Sequence, residues 1–241
     1  GGAWLKIGEI NYDGKTPPST DDRPRYYVPK CSSAAIAIAG MFAHAALVFQ
    51  DFPELEADAV ELRKRAEAAW VWYLQNPRRD DCDTGEVKSG DADRSLEEQD
   101  RLAVVAAGWL WMLTGKADYH EYFQENLGDL RLMTDDRWGQ YTSVEGDTLM
   151  SYVRHENADP ETLQRILERR RQTAMEADIF QFNEADDLYG AFMNLDSYHW
   201  GSLNPRSHAG ASNAELARLD LIPERSAVFR QRAVAQLNYI L

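Results

Sequence analysis

Three short segments combine aromatic rings with hydrogen-bonding side chains. They are Asp22-Arg23-Pro24-Arg25-Tyr26, Trp109-Leu110-Trp111-Met112-Leu113-Thr114-Gly115 and Tyr198-His199-Trp200-Gly201-Ser202-Leu203-Asn204. Long stretches rich in alanine and leucine, which favour helices, separate them. Aromatic rings supply flat apolar platforms, and neighbouring amides and hydroxyls can bond the edges of a sugar. The segments therefore predict a carbohydrate-binding groove carried by helices.

The third segment contains most of the predicted binding residues. Gly201 has no side chain to cover the indole of Trp200, so Trp200 is predicted to stack on a sugar ring. Tyr198 and His199 flank it, and Asn204 is the predicted donor to the sugar edge. The alternative is a buried aromatic cluster that ties two helices together.

Trp138 is the second predicted groove aromatic. It precedes Gly139, and Gly146 and Tyr152 follow in the same segment. The alternative is a loop tryptophan that covers the core. Four further tryptophans lie within helical stretches, where packing in the core is expected: Trp70, Trp72, Trp109 and Trp111.

An acidic, glycine-containing stretch precedes the helix that holds the second segment. Its carboxylates are hard oxygen ligands of the kind that Ca²⁺ takes, and the predicted ligands are Asp91, Asp93 and Asp100. The alternative is a solvated acidic cap favoured by the helix dipole. A run of like charge, Arg169-Arg170-Arg171, predicts a solvated helix face.

Composition restricts the partners. The 241 residues carry a net charge of -14, which disfavours nucleic acids and anionic membranes and is compatible with a neutral glucan. Two cysteines, Cys31 and Cys82, show no metal-ligand spacing and are predicted to be free, buried thiols. No apolar run is expected to reach the length of a membrane span, and no signal peptide is recognised. The Gly1-Gly2 start and the uncapped end at Leu241 are expected to be those of a piece of a longer chain.

Periodicity predicts about eight helices and no strand. Residues 1–30 are expected to be irregular. The helix over 32–50 is apolar on nearly every side and should be more buried than its amphipathic neighbour over 53–75. A capping box at Ser95 and Glu98 opens a third helix that Gly115 ends. The remaining helices are predicted over 119–127, 149–154, 160–177, 209–219 and 227–241.

These motifs together resemble glycoside hydrolase family 9, the cellulases and related β-glucanases. The resemblance rests on the Tyr-x-Trp-Gly-Ser-Asn-like loop around Trp200, the Trp-Leu-Tyr-x-x-Thr-Gly-like helix end at Gly115 and the closing segment from Gln236 to Leu241. It implies an all-α fold, the (α/α)6 barrel of six helical hairpins. Residues 1–241 would be the internal part of one catalytic domain, with about four of the six hairpins.

The resemblance also implies inverting hydrolysis of β-1,4-glucosidic bonds in cellulose or related β-glucans by an endoglucanase-like enzyme. In the family, the general base lies in an Asp-Ala-Gly-Asp motif upstream of the segment that Gly2-Ala3-Trp4-Leu5-Lys6 resembles. The general acid is a glutamate downstream of the segment that Gln236-Leu237 resembles, as is a His-x-Arg substrate clamp. None of these motifs occurs in the chain, so no catalytic residue is assigned and the chain alone is expected to be inactive.

Two other functions remain open. One is an exo-acting cellobiosidase or exo-glucosaminidase of the same family, and the other is a non-catalytic carbohydrate-binding α/α-toroid. The resemblance implies a β-glucan partner, a calcium ion near the acidic stretch, and a secreted or periplasmic bacterial location. It further implies a monomer with an immunoglobulin-like module before the barrel, since the Asp22–Tyr26 pattern followed by Ser32-Ser33-Ala34-Ala35 is similar to the branch that carries one.

Overall fold

Helices in two successive units make up most of the described chain. The computed structural model describes residues 1–11, 15–88, 90, 92–135, 138, 142–176, 201 and 203–241. Unit 1 is Gly1–Asp129 and unit 2 is Leu130–Leu241. Within these residues, helices that are adjacent in sequence pack together in both units.

Unit 1 contains short strands followed by four helices. The strands are β1 (Ala3–Trp4), β2 (Ile7–Gly8), β3 (Tyr26–Tyr27) and β4 (Lys30–Cys31), and the helices are α1 (Ser32–Phe49), α2 (Glu56–Gln75), α3 (Leu96–Thr114) and α4 (Ala117–Asn126). Single 3-10 turns occur at Pro18–Thr20, Pro53–Leu55 and Leu127–Asp129.

Unit 2 contains five helices among its described residues. They are α5 (Arg131–Thr134), α6 (Ser143–Arg154), α7 (Pro160–Glu176), α8 (Leu203–Leu219) and α9 (Ser226–Ile240), with a 3-10 turn at Pro223–Arg225. The helices α6 and α8 begin earlier than the sequence predicts. The helix α8 begins at Leu203, inside the aromatic segment. The proline at 205 does not prevent this start, because it falls in the first turn, where a helix tolerates proline.

An antiparallel ladder precedes α1, which corrects the prediction of an irregular segment without strands. Strand β1 pairs with β4 and strand β2 pairs with β3. Hydrogen bonds from Leu5 N to Pro29 O (3.3 Å) and from Val28 N to Lys6 O (3.1 Å) join the two pairs. We call residues 3–8 and 26–31 the N-terminal ladder. Strands of two residues are too short to show a period of two in the sequence.

The helix α1 is the inner member of its hairpin, as predicted. Eight of its 18 residues are buried, against five of 20 in α2. Most of the buried positions are alanine or glycine, which lets α3 approach closely: a Cβ on Gly40 would lie 3.3 Å from the Cα of Ala106. The expectation that no apolar run reaches membrane length is wrong, since α1 has 18 residues and a mean hydropathy of 1.8. A core helix passes the same test.

The predicted helix boundaries of α3 and α7 are confirmed. Ser95 and Glu98 form the reciprocal capping box, and Gly115 ends α3 with φ of 69°. Asp159 caps α7 by accepting a hydrogen bond from the N–H of Thr162 at 2.8 Å. Core packing is also confirmed for Trp70, Trp109 and Trp111, which are 4–6% exposed.

Cys31 and Cys82 form a disulfide, which corrects the prediction of two free thiols. Their Cα atoms lie 6.0 Å apart although 51 positions separate them in sequence. The hairpin of α1 and α2 returns the chain to the ladder, where Cys31 ends β4. Spacing in the sequence gave no sign of the bond, because a hairpin of two long helices creates the proximity.

Candidate functional site

The central part of the predicted groove, Tyr198, His199 and Trp200, lies outside the described residues. Next to it, Gly201 has φ of +81°, a left-handed conformation that favours glycine. The carbonyl of Gly201 accepts a hydrogen bond from the N–H of Asn204 at 2.9 Å, which starts α8. Asn204 is exposed in this first turn. The backbone thus brings the predicted edge donor to the turn after Trp200, and stacking by Trp200 stays a prediction.

Trp138 is held from two sides within unit 2. Its indole N–H donates to the carbonyl of Leu132 at 3.0 Å. The guanidinium of Arg170 lies 4.4 Å from the ring centroid. With 7% of the residue exposed, little of its surface remains for a ligand. This geometry favours the alternative interpretation, a tryptophan that packs on the core, and the groove role stays a prediction.

Arg170 itself corrects the prediction of a solvated arginine run. Its side chain is 2% exposed and pairs with Glu215 of α8 at 3.2 Å. It also donates to the hydroxyl of Ser212 at 2.6 Å. Burial lowers the pKa of Arg170 and raises the pKa of Glu215, so for each group desolvation outweighs the attraction of the pair. Counting like charges could not reveal this, because the middle residue of the run faces α8 while Arg171 faces solvent.

Two of the predicted calcium ligands are engaged elsewhere, and Asp91 lies outside the described residues. The carboxylate of Asp93 accepts hydrogen bonds from the N–H groups of Cys82 (3.0 Å) and Asp83 (2.9 Å), one on each oxygen. Asp100 forms an ion pair with Arg78 instead. The sulfurs of Cys31 and Cys82 lie near Asp93, but they are bonded to each other and are not thiolate ligands. Asp93 and Asp100 therefore both have partners within the chain, and the calcium site stays a prediction.

The side chain of Asp83, in the loop before α3, is largely buried, and no motif in the sequence points to it. The ammonium of Lys6 lies 2.5 Å from its Oδ2 atom, and the two side chains are 10% and 4% exposed. The hydrogen bond from Lys6 is the main cause that lowers the pKa of Asp83. The pair connects the N-terminal ladder to the loop before α3.

The Asp22–Tyr26 segment contributes arginines to a network of alternating charges. Arg23 and Arg25 both bind the carboxylate of Asp21, and both also contact Glu9, at distances of 2.7–2.9 Å. Hydrogen bonds from Arg23 first and Arg25 second hold the pKa of Asp21 far below its usual range. The network joins Glu9, which follows β2, to the residues that precede β3.

Exposed aromatic side chains line one part of the same ladder. Trp4 is 54% exposed and Tyr27 is 62% exposed, and their ring centroids lie 5.5 Å apart. The ammonium of Lys30 lies 5.2 Å from the ring centroid of Trp4. In the sequence, Trp4 stands out only as part of a family motif. Exposed tryptophan and tyrosine with a polar neighbour are suited to contact a sugar, a peptide or another part of a larger domain.

Solved structures with a similar fold include proteins of glycoside hydrolase family 9. A metagenome-derived glycoside hydrolase family 9 endoglucanase shares 24% identity with a TM-score of 0.77, over 99% of this chain and 42% of that one. The endoglucanase of the termite Nasutitermes takasagoensis shares 20% identity with a TM-score of 0.66, over 98% of this chain and 52% of that one. A family 9 protein of Bacteroides ovatus shares 15% identity with a TM-score of 0.68, over 98% and 43%. No curated protein matches the chain.

These neighbours confirm the predicted fold class, part of an all-α (α/α)6 barrel. The sequence also matches the family described as Glycosyl hydrolase family 9 over residues 1–241. The chain belongs to this family. It spans about half the length of its solved relatives or less, between 42% and 52%.

Proposed function

We propose that the whole protein is an endo-acting glycosidase that hydrolyses β-1,4-glucosidic bonds of cellulose or a related β-glucan with inversion. The observation that carries the proposal is the family match over the full length of the chain, residues 1–241. Two of the solved relatives with the same fold bear the name endoglucanase. The net charge of -14 is compatible with an uncharged polysaccharide.

In this proposal the chain supplies the helical scaffold and part of the glucan groove. Trp200 stacks on a glucosyl ring, with Tyr198 and His199 beside it and Asn204 at the sugar edge. Inversion requires a general acid and a general base about 6.5–9.5 Å apart, with water between the base and the anomeric carbon. Neither role is assigned to a residue of this chain, so both carboxylates belong to the rest of the protein.

We further propose that the protein is secreted or periplasmic. The disulfide of Cys31 and Cys82 supports this location, because disulfides persist in oxidising compartments and are rare in the reducing cytosol. A monomer with an immunoglobulin-like module before the barrel remains part of the proposal. It rests on the family resemblance alone.

The activity is tested on the complete protein with carboxymethylcellulose and cello-oligosaccharides. We expect a rapid fall in viscosity and, by NMR, initial release of the α-anomer. The 241-residue chain alone should show no hydrolysis, since each general acid or base contributes about 10²–10⁴-fold. Release of cellobiose alone would indicate the exo-acting alternative, and cleavage of glucosaminides the exo-glucosaminidase. Hydrolysis by the isolated chain would show that it contains the carboxylates.

The groove is tested with Trp200→Ala in the complete protein. Loss of a stacking ring should weaken cello-oligosaccharide binding by about 1–3 kcal/mol, measured by calorimetry, and should leave the melting temperature nearly unchanged. Phe52→Ala is the control, since Phe52 is an exposed aromatic residue in the turn between α1 and α2, away from the segment around Trp200 in sequence. If Trp200→Ala lowers the melting temperature strongly while binding persists, Trp200 is a core residue.

A further inference from the structure

Two residues of the loop before α3, Asp83 and Gly90, bind the side chain of Lys6. The ammonium of Lys6 donates to the carbonyl of Gly90 at 2.5 Å and lies 2.5 Å from the Oδ2 atom of Asp83. One carboxylate oxygen and one main-chain carbonyl oxygen are the ligand types that a calcium ion takes from such a loop. In this protein both oxygens bind the ammonium of Lys6.

The ladder holds Lys6 in place before its side chain enters the loop. The carbonyl of Lys6 accepts the N–H of Val28 at 3.1 Å between the two strand pairs. From the loop side, the N–H of Lys88 donates to the carbonyl of Glu9 at 2.6 Å. The loop is therefore attached to the N-terminal segment in two ways. The side chain of Lys6 binds Asp83 and Gly90, and the main chain of Lys88 binds that of Glu9.

The carboxylates at the two ends of the loop complete its closure. Asp83 accepts the N–H groups of Gly85 (3.0 Å) and Ala92 (3.1 Å), which joins the start of the loop to its end. Asp93 accepts the N–H groups of Cys82 and Asp83, which joins the end back to the start. The side chain of Asp83 is 4% exposed, and a buried carboxylate without a counter-charge is strongly unfavourable. The ammonium of Lys6 supplies that charge.

We propose that Lys6 is the resident cation of the loop 83–93, so that this loop folds without a bound calcium ion. The acidic stretch before α3 is thus stabilised by an internal ion pair, in which the ammonium of Lys6 binds the oxygens of Asp83 and Gly90. Removal of the ammonium should leave a negative, oxygen-lined loop that has gained affinity for a divalent cation.

The first test compares the melting temperature of the complete protein in excess EDTA and in millimolar CaCl₂. We expect the two values to agree. Lys6→Met keeps the apolar stem and removes the charge, so its melting temperature should fall by several degrees and should recover in part when CaCl₂ is added. Lys64→Met is the control, because the side chain of Lys64 is 79% exposed on α2. That variant should behave like the parent.

A second comparison works even if Lys6→Met folds poorly. In Lys6→Met with Asp83→Asn, the uncompensated carboxylate is gone, so the double variant should be more stable than Lys6→Met alone and should no longer respond to CaCl₂. Limited proteolysis followed by mass spectrometry should find cuts within 83–93 in Lys6→Met and not in the parent. A parent protein that loses stability in EDTA and regains it with CaCl₂ would overturn the proposal, as would a Lys6→Met variant as stable as the parent.

Discussion

One contact between helices in each unit is built in a different way. In unit 1, the contact of α1 with α3 around Gly40 and Ala106 is built from small residues. The buried ion pair of Lys6 with Asp83 lies elsewhere in this unit, where it joins the N-terminal ladder to the loop that follows α2. In unit 2, a charged side chain enters a contact between helices, where Arg170 of α7 meets Glu215 of α8.

The difference shows two ways to fix helices against each other. Small residues allow close approach, and their stabilisation comes from dispersion and from apolar area removed from water. A buried arginine specifies which residues must face it, but desolvation offsets much of its attraction to the partner. We therefore expect unit 1 to depend most on the bonds at its loops, and unit 2 on the pairing between its helices.

The largest effect is expected when the disulfide of unit 1 is removed. Replacing Cys31 and Cys82 by alanine releases a closed loop with a sequence separation of 51 and should lower the free energy of unfolding by about 4 kcal/mol. Urea unfolding measures the total loss in free energy of unfolding. Faster hydrogen exchange of the α1 amides would assign that loss to unit 1. Equal loss of protection in α7 and α8 would contradict the separate stabilisation of the two units.

A smaller effect is expected for the pair inside unit 2. Arg170→Met leaves Glu215 without its partner and should cost about 3 kcal/mol. Adding Glu215→Gln should restore part of the loss, because burial disfavours the charged form of both groups. The control is Arg171→Met, a neighbour whose side chain is 49% exposed, with an effect within about 0.5 kcal/mol. Additive losses in the double variant would show that the two charges do not interact.

The smallest effect distinguishes packing from ligand binding at Trp138. Trp138→Phe removes the donor to the carbonyl of Leu132 and should lower the free energy of unfolding by about 1–2 kcal/mol. Because 7% of Trp138 is exposed, cello-oligosaccharide affinity of the complete protein should be unchanged in calorimetry. Weaker cello-oligosaccharide binding with unchanged stability would show instead that Trp138 is a groove residue that contacts the ligand.

The sequence was sufficient for features that depend on neighbouring residues. The capping box at Ser95, the cap at Asp159 and the burial of α1 follow from local patterns. The disulfide, the pair of Lys6 with Asp83 and the burial of Arg170 do not, because each joins segments that only the packed helices bring together. The groove around Trp200 was inferred from family motifs, and it remains the part of the site for experiment to decide.

The disulfide also makes the first hairpin a covalent ring. Cys31 lies immediately before α1 and Cys82 follows α2, so the ring encloses both helices and the turn between them. That turn, near Pro53–Leu55, has Asp51 to Glu54 exposed to solvent, as the preferred sites of proteolysis are. One cut there opens the ring, but the disulfide still joins the piece with α1 to the piece with α2. A nicked molecule would therefore run as a single band on a denaturing gel until a reducing agent separated the two pieces.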